Sequence, residues 1–168
     1  RLMLSQSGQF WVVASDCQLI RFDPVREQFD YFDFSRIFGP NFNSVRGIAL
    51  SEDAKGVIWI GTQLGLVKCV QTGHGFDFAL IQADPANRHG LNNNSIACLL
   101  PAIGNAGQEM LWIGTKGGGI NLMNLQNGHC RHITTADGLL NNVIYGILPG
   151  GQAGEFWCST NRGLAKIS

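Results

Sequence analysis

Gly56-Val57-Ile58-Trp59-Ile60-Gly61-Thr62-Gln63-Leu64-Gly65-Leu66 is the stretch around which the chain is organised. It returns as Leu111-Trp112-Ile113-Gly114-Thr115-Lys116-Gly117-Gly118-Gly119-Ile120. It returns again, more altered, as Gly154-Glu155-Phe156-Trp157-Cys158-Ser159-Thr160-Asn161-Arg162-Gly163-Leu164. The most altered copy is Gly8-Gln9-Phe10-Trp11-Val12-Val13-Ala14-Ser15-Asp16-Cys17. All four tryptophans hold the same place in these units, at spacings of 48, 53 and 45 residues.

Inside each unit the apolar runs are short, rich in β-branched and aromatic residues, and bounded by Gly, Asn, Asp and Pro. That is the pattern of strands and tight turns. Short strands repeating at this period are the signature of a β-propeller. Each unit reads as four strands, A to D from the axis outward. The blades fall at about 1–37, 38–83, 84–135 and 136–168, and the last lacks strand D. The fold class is therefore all-β, a β-propeller fragment of about four blades of four antiparallel strands. No helix is expected, because no segment keeps a 3.6-residue period over about ten residues.

Composition agrees with strands and excludes several functions. Lys plus Arg and Asp plus Glu are 12 each, so the net charge is zero, which speaks against a nucleic-acid partner. The 22 glycines against 5 prolines suit turns between strands rather than a linker. The five cysteines, Cys17, Cys69, Cys98, Cys130 and Cys158, form no CxxC and lie mostly in apolar runs. They read as buried free thiols, not a disulfide framework or a zinc knuckle. No apolar run approaches the roughly 18 residues of a membrane span. Each unit needs neighbours to cover its apolar faces, so the chain reads as a piece of a longer protein.

A residue that recurs in every unit is read as structural, since every blade must pack alike while a ligand meets each blade differently. Trp11, Trp59, Trp112 and Trp157 are expected between neighbouring blades, the alternative being aromatics that stack on a sugar. Gly65, Gly118 and Gly163, six residues after Trp, are expected to end the B–C turn with positive φ. Cys17 takes that place in unit one, whose turn is expected to differ. Thr62, Thr115 and Thr160 suit strand ends whose hydroxyl bonds the turn. Asn43, Asn94 and Asn141 each precede by two the β-branched residue opening strand A (Val45, Ile96, Val143), and read as turn residues at blade junctions.

These residues carry a resemblance. Val57–Leu66, preceded in other units by Gly90-Leu91-Asn92-Asn93-Asn94-Ser95-Ile96 and Asp137-Gly138-Leu139-Leu140-Asn141-Asn142-Val143, resembles the two-component regulator propeller repeat. Unit one departs with Val12-Val13-Ala14-Ser15. Unit three departs at Pro101-Ala102-Ile103-Gly104-Asn105, where the family carries an acidic residue. The resemblance implies a sensor segment of a seven-bladed propeller on the periplasmic or extracytoplasmic side of a bacterial inner membrane. A membrane span and a kinase or diguanylate cyclase output would lie elsewhere in the parent. It further implies an oligosaccharide as ligand, and remaining blades or a second copy of the chain as the cover for the open blade faces.

Strand alternation puts the D–A crossings and B–C turns on one face. That face collects Asn41, Asn43, Arg88, His89, Asn92, Asn93, Asn141 and Asn142 from crossings, and Asp16, Gln63, Lys116 and Arg162 from turns. Amide, imidazole and guanidinium groups there suit a small polar or acidic ligand. Arg88, His89, Asn92, Asn93, Lys116, Asn142 and Arg162 are the ligand candidates, with ordinary solvated turn charges as the alternative reading. His74, His129 and His132 read as surface groups, and Glu52-Asp53 as a solvated A–B turn. No catalytic motif, metal ligand set or cofactor loop is present in the sequence. A non-catalytic sensor is expected. The alternatives are an enzymatic propeller (lyase or hydrolase) with catalytic groups in other blades, and a scaffold for protein interaction or dimerisation.

Overall fold

The computed structural model describes residues 1–14, 16–104, 107–152 and 154–167, with the backbone alone at 40–44. Blade one is β1 (Leu2–Leu4), β2 (Phe10–Val13), β3 (Gln18–Asp23) and β4 (Gln28–Asp33). Blade two is β5 (Gly47–Glu52), β6 (Ile58–Thr62), β7 (Gly65–Thr72) and β8 (Gly75–Ile81). Blade three is β9 (Ile96–Ile103), β10 (Glu109–Thr115), β11 (Ile120–Asn124) and β12 (Cys130–Ile133). Blade four is β13 (Ile144–Pro149), β14 (Phe156–Thr160) and β15 (Gly163–Ile167). Within each blade the strands pair antiparallel in chain order, giving, among the described residues, three four-stranded sheets and one of three strands.

Two crossings hold 3-10 turns, at Ser35–Ser44, broken at Gly39 (φ 61°), and at Thr135–Asp137. Both are too short to leave a helical period in the sequence. The second is closed by a capping box: Ala136 N–H donates to Thr134 Oγ1 and Thr134 N–H to Asp137 Oδ2. Thr134 N–H and the Thr134 hydroxyl both donate to Asp137 Oδ2, and these bonds to the ionised form hold the Asp137 carboxyl below the usual range.

The core lies between blades. Three buried clusters each span one junction and each contains one tryptophan. Trp11 meets Phe76 of blade two edge to face at 5.4 Å between centroids. Trp59 packs in one cluster with Leu111, Ile113 and Met123 of blade three. Trp112 lies 3.9 Å from the Phe156 ring of blade four. Trp11, Trp59 and Trp112 each face the following blade, whereas Trp157, expected between blades, is 42% exposed on the outer face of blade four, opposite Leu148 and on the same face as Leu164. At the opposite end, blade one presents Leu2, Leu4, Phe29 and Tyr31. Two such faces are expected to make the 168-residue chain self-associate when isolated. Light scattering should give a mass above 18.3 kDa that rises with concentration, and Trp157→Ser with Leu148→Ser should lower it.

Close approach between blades explains the glycines two residues after tryptophan. A Cβ on Gly61 would lie 2.6 Å from Ile96 Cγ2 of the next blade, and one on Gly114 would lie 2.8 Å from Ile144 Cγ2 of the next blade and would also collide with Cys98 Sγ on the neighbouring strand of its own blade. Junction one reverses the sizes. Val13 stands where Gly61 and Gly114 do, and Gly47 faces it, with room so small that a Cβ there would lie 2.3 Å from Val13 Cγ2.

Turn chemistry repeats with two corrections. Thr62, Thr115 and Thr160 donate to the carbonyls of Gly65, Gly119 and Gly163 at 2.8, 2.9 and 3.0 Å. The turn in blade three is one residue longer, so Gly119 (φ 73°), not Gly118, takes the left-handed place held by Gly65 and Gly163. Cys17 adopts φ 60° itself, so unit one keeps that left-handed position without a glycine. A β-bulge near the start of strand A gives the second correction. Registers place Gly47, Ile96 and Ile144 opposite Thr62, Thr115 and Thr160, with Ile48, Ala97 and Tyr145 unpaired. Asn142, not Asn141, is therefore the counterpart of Asn94. Asn94 Oδ1 accepts from Ala83 N–H and Asn142 Oδ1 from Thr135 N–H, each closing the crossing into its blade. Asn93 and Asn141 turn the chain by accepting from Ser95 and Val143 N–H at 2.8 Å each.

Cys69, Cys98, Cys130 and Cys158 are free thiols. Burial raises the Cys69 thiol far above its ordinary range, Cys98 to about 12 and Cys130 to about 11. The fold favours the protonated thiols, so their stabilising effect is complete below the ordinary value of 9.0 and declines as pH rises toward 11 to 12. Iodoacetamide at pH 8 should leave these three unmodified in the native state and label them in urea, as peptide mass spectrometry would show.

Candidate functional site

Crossings and B–C turns meet on one face, here called the upper face. Arg46 N–H donates to Gln63 Oε1 at 3.0 Å, and Gln82 Nε2 to the Leu64 carbonyl at 2.9 Å. Lys116 N–H donates to the Ser95 carbonyl, while the N–H groups of Gly117 and Gly119 both donate to the Asn142 carbonyl. The turn of blade three is thus held between the residues that lead into two A strands, and Lys116 bridges Val143 of blade four.

The structure divides the candidates into two groups. Arg88, Asn92 and Asn93 line a cleft of about 790 Å³ at the crossing from blade two to blade three, with Asp84, Asn87 and His132. His132 is half-buried there rather than a plain surface group, and its Nε2 lies 2.9 Å from the Gly90 carbonyl. Lys116, Arg162 and Asn142 belong to the inner rim. Arg162 N–H is held by Thr160 Oγ1 at 3.0 Å, which leaves its guanidinium exposed. His89 joins neither group: its ring stacks on His129 at 5.3 Å between centroids and 21° between planes. The Asn41 and Asn43 side chains lie outside the described residues.

Two inner-rim residues have no warning in the repeat. Arg46 is exposed at the start of strand A in blade two, where blades three and four have Ser95 and Val143. Tyr145 is the bulged residue of β13, 54% exposed, and its hydroxyl donates to Asn161 Oδ1. Bulges re-aim side chains in this way. The signal available in sequence was an aromatic and an arginine at positions that do not repeat.

The ion pairs among the described residues are Arg21–Asp30, Arg26–Asp23, Lys55–Glu109 and Lys166–Glu155. None involves Arg46, Arg88, Lys116 or Arg162, so four cations stand on the upper face without a carboxylate partner among those residues. On the opposite face Glu52 accepts from Gln6 N–H at 2.7 Å. Asp53 is not a solvated turn charge: it is 4% exposed and accepts from Lys55 N–H, Val57 N–H and Trp59 Nε1. Among the described residues no group of three or more His, Cys, Asp or Glu is placed to hold a metal ion. The arrangement can attract and hydrogen-bond an anionic or hydroxyl-rich molecule.

Residues 39–63 match the model of the two-component regulator propeller family. No curated protein sequence matches the chain. Among solved structures, the extracellular domain of a putative hybrid two-component system from B. thetaiotaomicron is similar over 99% of this chain and 21% of its own. The identity is 20% and the TM-score 0.73. PorZ, a surface component of the type-IX secretion system of Porphyromonas gingivalis, is similar over 99% of this chain and 25% of its own (15% identity, TM-score 0.73). Virginiamycin B lyase from Staphylococcus aureus is similar over 99% and 54% (15% identity, TM-score 0.61). The chain spans about a fifth of the two-component system's domain. These likenesses show the fold: the chain is a β-propeller segment, of which residues 39–63 match the two-component regulator propeller repeat.

Proposed function

We propose that this chain is a non-catalytic, ligand-sensing segment of a seven-bladed propeller in a bacterial membrane-bound signalling receptor, facing the extracytoplasmic side. The observation that carries the reading is a set of four cations on one face with no carboxylate partner among the described residues, Arg88 in the cleft and Arg46, Lys116 and Arg162 on the inner rim. Support comes from the family of the matched repeat and from the extracellular domains of two-component systems that share the fold. The ligand is a small polar molecule, acidic or an oligosaccharide. To signal, it must bind one receptor state more tightly than the other. Remaining blades would cover the open faces, and a kinase or cyclase would form the output.

The test is Arg88→Ala with Lys116→Ala in the complete protein. Each charge-assisted hydrogen bond is worth about 1.5–3 kcal/mol, so losing two should weaken ligand response about 100-fold or more. An unchanged dose–response curve would remove both residues from the site. The lyase likeness supplies a second reading in which other blades bring catalytic groups; product formation by the complete protein would favour it.

A further inference from the structure

In a repeat protein, residues that depart from the repeat mark what is particular to one blade, and three departures coincide in blade three. Asn121 is fully buried in strand C, opposite Ile113. Its counterparts by register are Val67, opposite Ile60, and Ala165, opposite Cys158. Asn92 sits in the crossing where the next crossing has Leu140. The B–C turn carries the extra glycine.

The three are one hydrogen-bonded unit. Asn121 Nδ2 donates to Asn92 Oδ1 at 2.9 Å and Asn121 Oδ1 accepts from Asn92 N–H at 3.0 Å. Asn92 Nδ2 donates to the Gly118 carbonyl at 2.8 Å. The turn is glycine because the crossing lies directly on it: a Cβ on Gly118 would be 2.1 Å from Asn92 Oδ1 and 2.7 Å from Asn93 Cβ. Asn93 in turn lines the cleft with Arg88. A buried amide is costly unless its polar atoms are paired, and here both side-chain ends of Asn121 are satisfied by one exposed residue.

We propose that Asn121 is a positioning residue, which clamps the crossing that bears Arg88 onto the turn that bears Lys116, so that the two cations form one rigid anion-binding surface. The cation pair rests on the ligand-face reading above; the clamp stands on the hydrogen bonds alone. It makes the outer cleft and the inner rim parts of a single site, with an acidic molecule that reaches both as the fitting ligand class.

The experiment uses the complete protein, Asn121→Val (the blade-two residue) and Asn92→Ala, which breaks two of the three bonds from an exposed position and changes no buried side chain. Hydrogen exchange is followed over residues 84–94, and binding of a tetragalacturonate probe is measured for these variants and for Lys116→Ala. The clamp predicts at least tenfold faster exchange of the crossing in both variants, with unchanged exchange in β6 and β10. It also predicts at least tenfold weaker probe binding wherever Lys116→Ala weakens it. Unchanged exchange in Asn92→Ala would overturn the clamp. Faster exchange with unaltered probe binding, while Lys116→Ala loses it, would overturn the positioning role. If the wild type does not bind the probe, the acidic ligand class fails, and the exchange result decides the clamp.

Discussion

Replacing Gly47 with isoleucine should destabilise the protein by about 3 kcal/mol, and adding Val13→Gly to it should restore most of the loss. Isoleucine is the residue that blades three and four carry at this place, so the change makes blade two more like its neighbours. It fails because Val13 already fills the space: even a bare Cβ at Gly47 would sit 2.3 Å from Val13 Cγ2. In the double variant the large and small partners exchange sides, as in Gly61 with Ile96 and Gly114 with Ile144. The residual cost of about 1 kcal/mol is that of a glycine inside β2. Urea denaturation of both single variants and the double variant gives the coupling energy. Additive losses would mean that the two side chains do not share one space.

Trp59→Ala should be the most damaging single change, costing about 3–5 kcal/mol for the lost ring and cavity. A further loss of about 1–3 kcal/mol follows from the unpaired acceptor left on Asp53, which is 4% exposed. The indole N–H donates to Asp53 Oδ2 at 2.9 Å, and the same carboxylate holds the A–B turn through Lys55 and Val57 N–H. Removing the ring therefore loosens both the junction and the turn. Trp157→Ala should cost only about 1 kcal/mol in this chain, because its ring is 42% exposed. Equal shifts in the urea midpoint for the two would contradict this account.

Much of the fold was legible. The tryptophan spacing announces the blades because each blade repeats the same junction, and the glycines two residues later follow from the same contact. Strand A was harder. A bulge at Ile48, Ala97 and Tyr145 adds one residue to one side of each pair. Aligning units by their first β-branched residue therefore matched Asn94 to Asn141 when its hydrogen-bonding counterpart is Asn142. The inserted glycine in the blade-three turn shifted Gly118 for Gly119 in the same way. Of the candidate site, the cations at Arg88, Lys116 and Arg162 were visible as charges that do not repeat. Their division into a cleft and an inner rim was not, since that depends on how far each crossing runs before it meets a turn.

The sequence by itself determined the all-β class, the four units and the face on which the variable polar residues gather. Those depend on local periodicity and turn chemistry, which act over a few residues. Tertiary structure alone decided that Val13 demands Gly47, that Asp53 is buried beneath Trp59, and that Asn121 grips Asn92. The two residues of the first and last pairs lie in different hairpins or blades, and in all three cases the energy resides in close packing or in a buried polar atom finding its partner. Such terms exist only once the sheets are in contact.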